Sequence, residues 1–294
     1  MRDGAAESVN WSNADAPRGP TLVVAFRGWN DAGSAASAAV SYVGRASERR
    51  LIAEIDPESF FDFQSHRPSI SVVDGGVRQV EWPRNVFYEA SVSGLAAGAL
   101  LMEGEEPSMR WQTFCDAIVH VARECEVENA VLLGALLADV PHTRPSTINA
   151  IATDPEMIEG FGFREANYEG PTGITGVVQR ALADAGVRAC SLWAAVPHYV
   201  AATPNPPAAL SLVHAFEAVT GADVDIAELE ASAERFKDQV TAAVAQDDEI
   251  SGYVRTLEES ADEADAAFGG SQIPSGDAIA QEIQRYLRKK DSGA

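Results

Sequence analysis

Lysine is almost missing from this 294-residue chain: Lys237, Lys289 and Lys290 are the only three among 22 basic residues. Against them stand 44 acidic residues, giving a net charge of −22 and a pI of about 4.5. A chain so short of cations cannot neutralise many phosphates, which excludes nucleic acid as a partner and disfavours an anionic membrane surface. Cysteine is scarce as well. Cys115, Cys125 and Cys190 show no metal-binding spacing, and the first two lie ten apart in one predicted helix. At about 1.5 Å per residue they stand too far apart for a disulfide, so reduced, buried thiols are expected. Apolar runs of about 18 residues are missing too, and Met1–Pro20 is polar with no basic-then-apolar pattern. A cytoplasmic protein is therefore expected.

Catalytic signatures are equally sparse. Gly-x-Ser-x-Gly does not occur, and no serine or cysteine sits in a recognisable elbow. The five histidines, His66, His120, His142, His198 and His214, lack acid partners at ligand spacing, so neither a metal nor another cofactor is expected.

What is present is an alternation of short apolar runs and amphipathic stretches. Thr21–Phe26, Leu51–Ile55, Ala99–Glu103, Ala130–Leu137 and Ala189–Val196 read as strands, several apolar enough to be covered on both faces. Helices are expected up to Val43 and over Ser108–Cys125, Gly173–Ala185 and Asn205–Val219. Between them, Ile70–Val73 and Val77–Trp82 flank Asp74-Gly75-Gly76, a hairpin signal, and Val86–Val92 continues the antiparallel theme. The pattern predicts an α/β fold with a doubly wound, mostly parallel sheet, an antiparallel hairpin insertion and a C-terminal helical subdomain. Residues 1–20 read as a flexible arm, 21–222 as the core domain and 223–294 as a helical extension. That extension carries 17 acids against 7 bases. It reads as helices over Asp225–Ala245 and Glu249–Ala267, a loop over 269–276 and a last helix over Asp277–Lys289.

Polar residues concentrate between Gly134 and Pro207, after predicted strands, where α/β proteins place binding groups. His142, between two prolines, could act as a base or bind an anion, or else hydrogen-bond backbone to shape its turn. Arg144 could grip a carboxylate or phosphate, or form a structural ion pair. Thr172 precedes a helix, as an anion site or a plain N-cap. His198 could line a pocket or pack. Asn205 reads first as a helix cap. Upstream, Arg27 and Asp31 follow the first strand of the core, where an acid serves chemistry or caps the next helix.

Four motifs in order carry a resemblance: Phe26-Arg27-Gly28-Trp29-Asn30-Asp31-Ala32-Gly33, Gly134 through Pro145, Pro171-Thr172-Gly173-Ile174-Thr175-Gly176, and Trp193 through Pro207. Over about residues 21–220 the chain resembles the proteasome assembly chaperone 2-like family, in its bacterial, actinobacterial-type branch. The resemblance implies a fold akin to nucleoside phosphorylases and hydrolases, a homo-oligomer such as a trimer, and a scaffolding role on a proteasome-related protein client with no established catalysis. Proteasome-binding members end in a hydrophobic residue, a tyrosine and one final residue. Here Tyr286 is followed by eight more, so docking by that route is not expected.

Two functional readings follow. One is a non-enzymatic assembly factor or scaffold that binds itself and a protein client. The other is a small-molecule binder or phosphorylase/hydrolase-type enzyme whose pocket gathers Arg27, Asp31, His142, Arg144, Thr172 and His198.

Overall fold

The computed structural model describes residues 2–12, 15–73, 76–165, 169–200 and 202–269; the helix expected over Asp277–Lys289 lies outside them. Eleven strands occur among the described residues: β1 (Val9–Trp11), β2 (Thr21–Arg27), β3 (Arg49–Ile55), β4 (Ser69–Val73), β5 (Val77–Glu81), β6 (Asn85–Ala90), β7 (Ala99–Glu105), β8 (Asn129–Ala138), β9 (Ile148–Ala152), β10 (Arg164–Glu165) and β11 (Arg188–Pro197). Nine form one sheet in the order β1-β3-β6-β7-β2-β8-β11-β9-β10, while β4 and β5 pair only with each other. The central block β7-β2-β8-β11 is parallel throughout. Antiparallel pairs flank it on both sides, β6 with β7 and β9 with β11. The sheet is thus mixed, with its parallel part where the apolar runs are longest.

Helices α1 (Ala35–Arg45) and α4 (Pro206–Thr220) cover one face, and α2 (Trp111–Glu124) and α3 (Ile174–Asp184) the other. Strand β2 shows why both faces need cover. Leu22, Val24 and Phe26 point into the α2/α3 layer, whereas Val23 and Ala25 point into the α1/α4 layer. Ala35, Ala36 and Ala39 are fully buried, so α1 approaches the sheet closely. Asn205 caps α4 by accepting the Ala208 N–H at 3.1 Å, and Gly221 ends that helix in the left-handed region at φ 74°.

Two helices follow, α5 (Ala227–Val244) and α6 (Asp248–Gly269). They bury few large side chains: Leu229 on α5, and Val254 and Leu257 on α6.

The amino terminus corrects one expectation. Residues 2–12 are not an arm: β1 pairs antiparallel with β3, placing Val9 opposite Ile55. Val9 joins the α2/α3-side core and Trp11 meets the His120 ring edge-on, which gives a three-residue strand enough apolar contact to hold the sheet edge. A second correction concerns α2. Ser108 is not its cap, because its N–H donates to the Phe60 carbonyl and Arg110 occupies the N-cap position in the left-handed region.

Candidate functional site

The loops after β8 and β11 carry His142, Arg144 and His198, and all three meet the C-terminal helices. The Tyr199 hydroxyl accepts the His142 backbone N–H at 2.8 Å and stands 2.7 Å from the ring Nδ1. The ring Nε2 lies 3.1 Å from Thr241 Oγ1, whose own hydroxyl donates to the Lys237 carbonyl. One proton arrangement satisfies the chain: Tyr199 donates to Nδ1, and Nε2–H donates to Thr241. The imidazole is then neutral, in keeping with burial, which pushes its pKa below the usual histidine value. Next to it, Arg144 holds Asp262 through two bonds of 2.9 Å, with Glu258 at 3.6 Å. His198 Nδ1 sits 3.1 Å from Asp139, which also accepts from Tyr253 of α6 at 3.4 Å. These side chains form a polar clasp between the sheet and α5/α6.

Asp31 is committed elsewhere. Its Oδ1 accepts the Ala36 and Ser37 N–H groups and its Oδ2 accepts the Ser37 hydroxyl, so it caps α1 across the kink at Gly33. Burial raises its pKa, and those same hydrogen bonds oppose the rise. Arg27 is exposed at the end of β2. Thr172 does not cap α3: Gly173 is the N-cap residue, and the Thr172 hydroxyl donates to the Gly173 carbonyl at 3.3 Å.

The carboxylate at that helix terminus belongs to Glu106. Its Oε1 accepts the Ile174 N–H at 2.9 Å and the Asn30 side-chain N–H at 3.1 Å. A negative charge from another strand end therefore fills the place that a bound anion would take.

Beside Glu106 lies a cavity of about 700 Å³, between the carboxyl ends of β2 and β8, the middle of β11, strand β9 and the start of α3. Trp29, Leu136, Leu137, Ile151 and Trp193 supply most of its apolar wall. Glycines shape it. Gly134 pairs across the sheet with Trp193, and a Cβ there would come within 2.5 Å of the indole. A Cβ on Gly173 would meet Asn30 at 2.2 Å, and one on Gly176 would meet Thr172 at 2.4 Å. Polar lining groups are few, and several are fixed: Gln179 donates to the Ile151 carbonyl, and Ser191 Oγ accepts the Trp193 indole N–H.

The six residues expected in one pocket therefore separate. His142, Arg144 and His198 come together in the clasp, Asp31 caps a helix, Arg27 faces solvent, and Thr172 alone lines the cavity. Sequence reasoning missed Glu106, Trp193 and Ile151. A glycine inside the apolar run of β8 was the available signal, since it marks a close approach. The cysteines supply no nucleophile: burial pushes Cys115 and Cys190 up to about 12 and Cys125 to about 11.

Comparison with known proteins gives this geometry its context. The family model described as "PAC2 family" matches residues 25–244. A proteasome-assembly chaperone homologue from Mycobacterium tuberculosis is 44% identical, with 80% of this chain and 99% of that one covered and a TM-score of 0.74. A PAC2 family protein from Streptomyces avermitilis is 42% identical at the same coverage and TM-score. An archaeal proteasome activator from Pyrococcus furiosus shares the fold, with a TM-score of 0.63 at 14% identity over 80% of this chain and 97% of that one. No curated protein matches the chain. With the family model spanning most of its length and actinobacterial relatives above 40% identity, the chain belongs to the PAC2 family.

Proposed function

We propose that this protein is a chaperone-like, non-enzymatic assembly factor that works as a homo-oligomer on a proteasome-related client in the cytoplasm. The observation that carries the reading is 44% identity over nearly the whole of a proteasome-assembly chaperone homologue. The side chains support it: the histidines and arginine best placed for chemistry are spent on holding α5 and α6. No described helix is long and apolar enough to cross a membrane, and a net charge of −22 disfavours an anionic lipid surface or nucleic acid as the partner. In this reading 21–222 is the working α/β unit, akin in layout to nucleoside phosphorylases and hydrolases, and 223–294 is its C-terminal extension, of which the described helices α5 and α6 meet that unit.

The hairpin β4/β5 is the self-association surface of this proposal. In its register Ile70 faces Val80 and Val72 faces Arg78, so one face carries Ile70, Val72 and Val80, all exposed. A two-stranded ribbon with an uncovered apolar face is marginal alone and gains from a partner. Arg67 and Arg78 give it exposed positive charge in a strongly acidic chain, suited to the acidic α5/α6 surface of a second copy. Sedimentation at micromolar concentration should show an oligomer that Val72→Asp with Val80→Asp dissociates. Added to purified proteasome subunits, the protein should speed their assembly. A monomeric wild type that leaves assembly unchanged would defeat the proposal.

A further inference from the structure

We propose that the cavity between the carboxyl ends of β2 and β8, the middle of β11, strand β9 and the start of α3 binds an uncharged, largely aromatic small molecule. Its volume, about 700 Å³, falls within the range of small-molecule sites, and one side of it is formed by the carboxyl ends of the parallel neighbours β2 and β8. The wall is chiefly apolar. Four of its large side chains, Trp29, Leu136, Leu137 and Ile151, remain substantially exposed although they border one concave space. Scattered exposed hydrophobic residues need no explanation, but several converging on one hollow do.

Charge narrows the ligand. None of the lining residues is Lys, Arg or His, so a phosphate or carboxylate would enter without a counter-ion. The helix terminus that could have compensated already holds the Glu106 carboxylate. Among the described residues no Asp or Glu lines the cavity either, so a cation finds no partner at that wall. The remaining polarity is slight and directional. Ser191 and Gln179 are engaged, whereas the Asn149 side-chain amide has no hydrogen-bond partner among the described residues. It offers one donor and one acceptor function to the polar edge of a ring system whose faces meet Trp193 and the aliphatic wall.

The test is a titration of the full chain with Nile red, an uncharged aromatic probe, followed by its emission and by quenching of tryptophan fluorescence. Saturable binding at one probe per chain is expected, with displacement by indole and none by millimolar inorganic phosphate or ATP. Leu137→Glu and Ile151→Glu should each raise the probe's Kd at least tenfold, while Leu51→Glu, at an exposed position of β3 toward the other edge of the sheet, leaves it unchanged. Circular dichroism checks folding, and Trp29→Ala, at a largely exposed position, replaces any variant that fails to fold and carries the same expectation. Loss of binding only in Leu51→Glu, or an unchanged Kd in the cavity variants, would overturn the site. Displacement by phosphate or ATP would overturn the ligand class.

Discussion

The clasp and the cavity stand near the same carboxyl ends of the sheet, yet they are opposite in chemistry. In the clasp, polar side chains are abundant and nearly all occupied: His142 by Tyr199 and Thr241, Arg144 by Asp262, His198 by Asp139. In the cavity, polar groups are few and the apolar wall is left uncovered. The difference teaches that polar density in this chain marks surface already covered by its own helices. The surface still open to a ligand is the one that looks least like an active site, because a large apolar hollow is what rewards a guest for leaving water.

The sharpest way to break the comparison is at Gly134, against the Trp193 ring that lines the cavity. Gly134→Leu places a side chain where even a Cβ would lie 2.5 Å from the Trp193 ring. Overpacking at a strand pair should cost about 3 kcal/mol of global stability, read by denaturant unfolding, and abolish the cavity. His142→Ala acts differently. It removes the ring's bonds to Tyr199 and Thr241 and should cost about 2 kcal/mol, expressed locally. Hydrogen exchange should accelerate across 227–269 while the β8 and β11 amides keep their protection. If β8 loosens equally, the clasp is part of the core and the contrast fails. Glu106→Ala acts at the edge of the cavity. It strips the start of α3 of its acceptor, so a loss of about 1 kcal/mol is expected, with faster exchange in the first turn of α3.

Sequence patterns revealed the locally determined parts of this layout. Asp31 and Asn205 were recognisable as helix caps because each bonds to backbone within six residues. The parallel core was legible from apolar runs, since strands covered on both faces cannot afford polar alternation. The clasp was not, because His142 and Arg144 find their partners 99 and 118 residues onward, across two helices whose seating no local pattern specifies. Glu106 escaped for a similar reason: it reads as part of an acidic turn, and only the fold brings it to the start of α3, 68 residues later. β1 was missed because three residues at a sheet edge carry too little periodicity to register.

The smallest effect, and the one that separates the two regions most cleanly, is pH. Burial lowers the His142 pKa in the folded chain, with the Glu258 carboxylate opposing that shift and Lys237 reinforcing it. The unfolded chain, with a histidine value near 6.5, therefore takes up the proton first. Between that value and the lower folded one, the unfolded state binds more protons, so stability falls as pH falls. The contribution is complete above about pH 6.5, declines through the folded pKa, and changes no further once both states are protonated. The chemistry explains the loss, since a protonated Nδ1 no longer accepts from Tyr199. Hydrogen exchange over 227–269 should accelerate progressively from pH 7 to pH 5 after correction for intrinsic rates. In His142→Gln that added dependence should vanish. Among the described residues no titratable side chain lines the cavity, so Nile red affinity should stay flat over the same range in both proteins. A pH-dependent affinity that disappears with His142→Gln would show that the clasp and the cavity are coupled, and the separation drawn between them would fall.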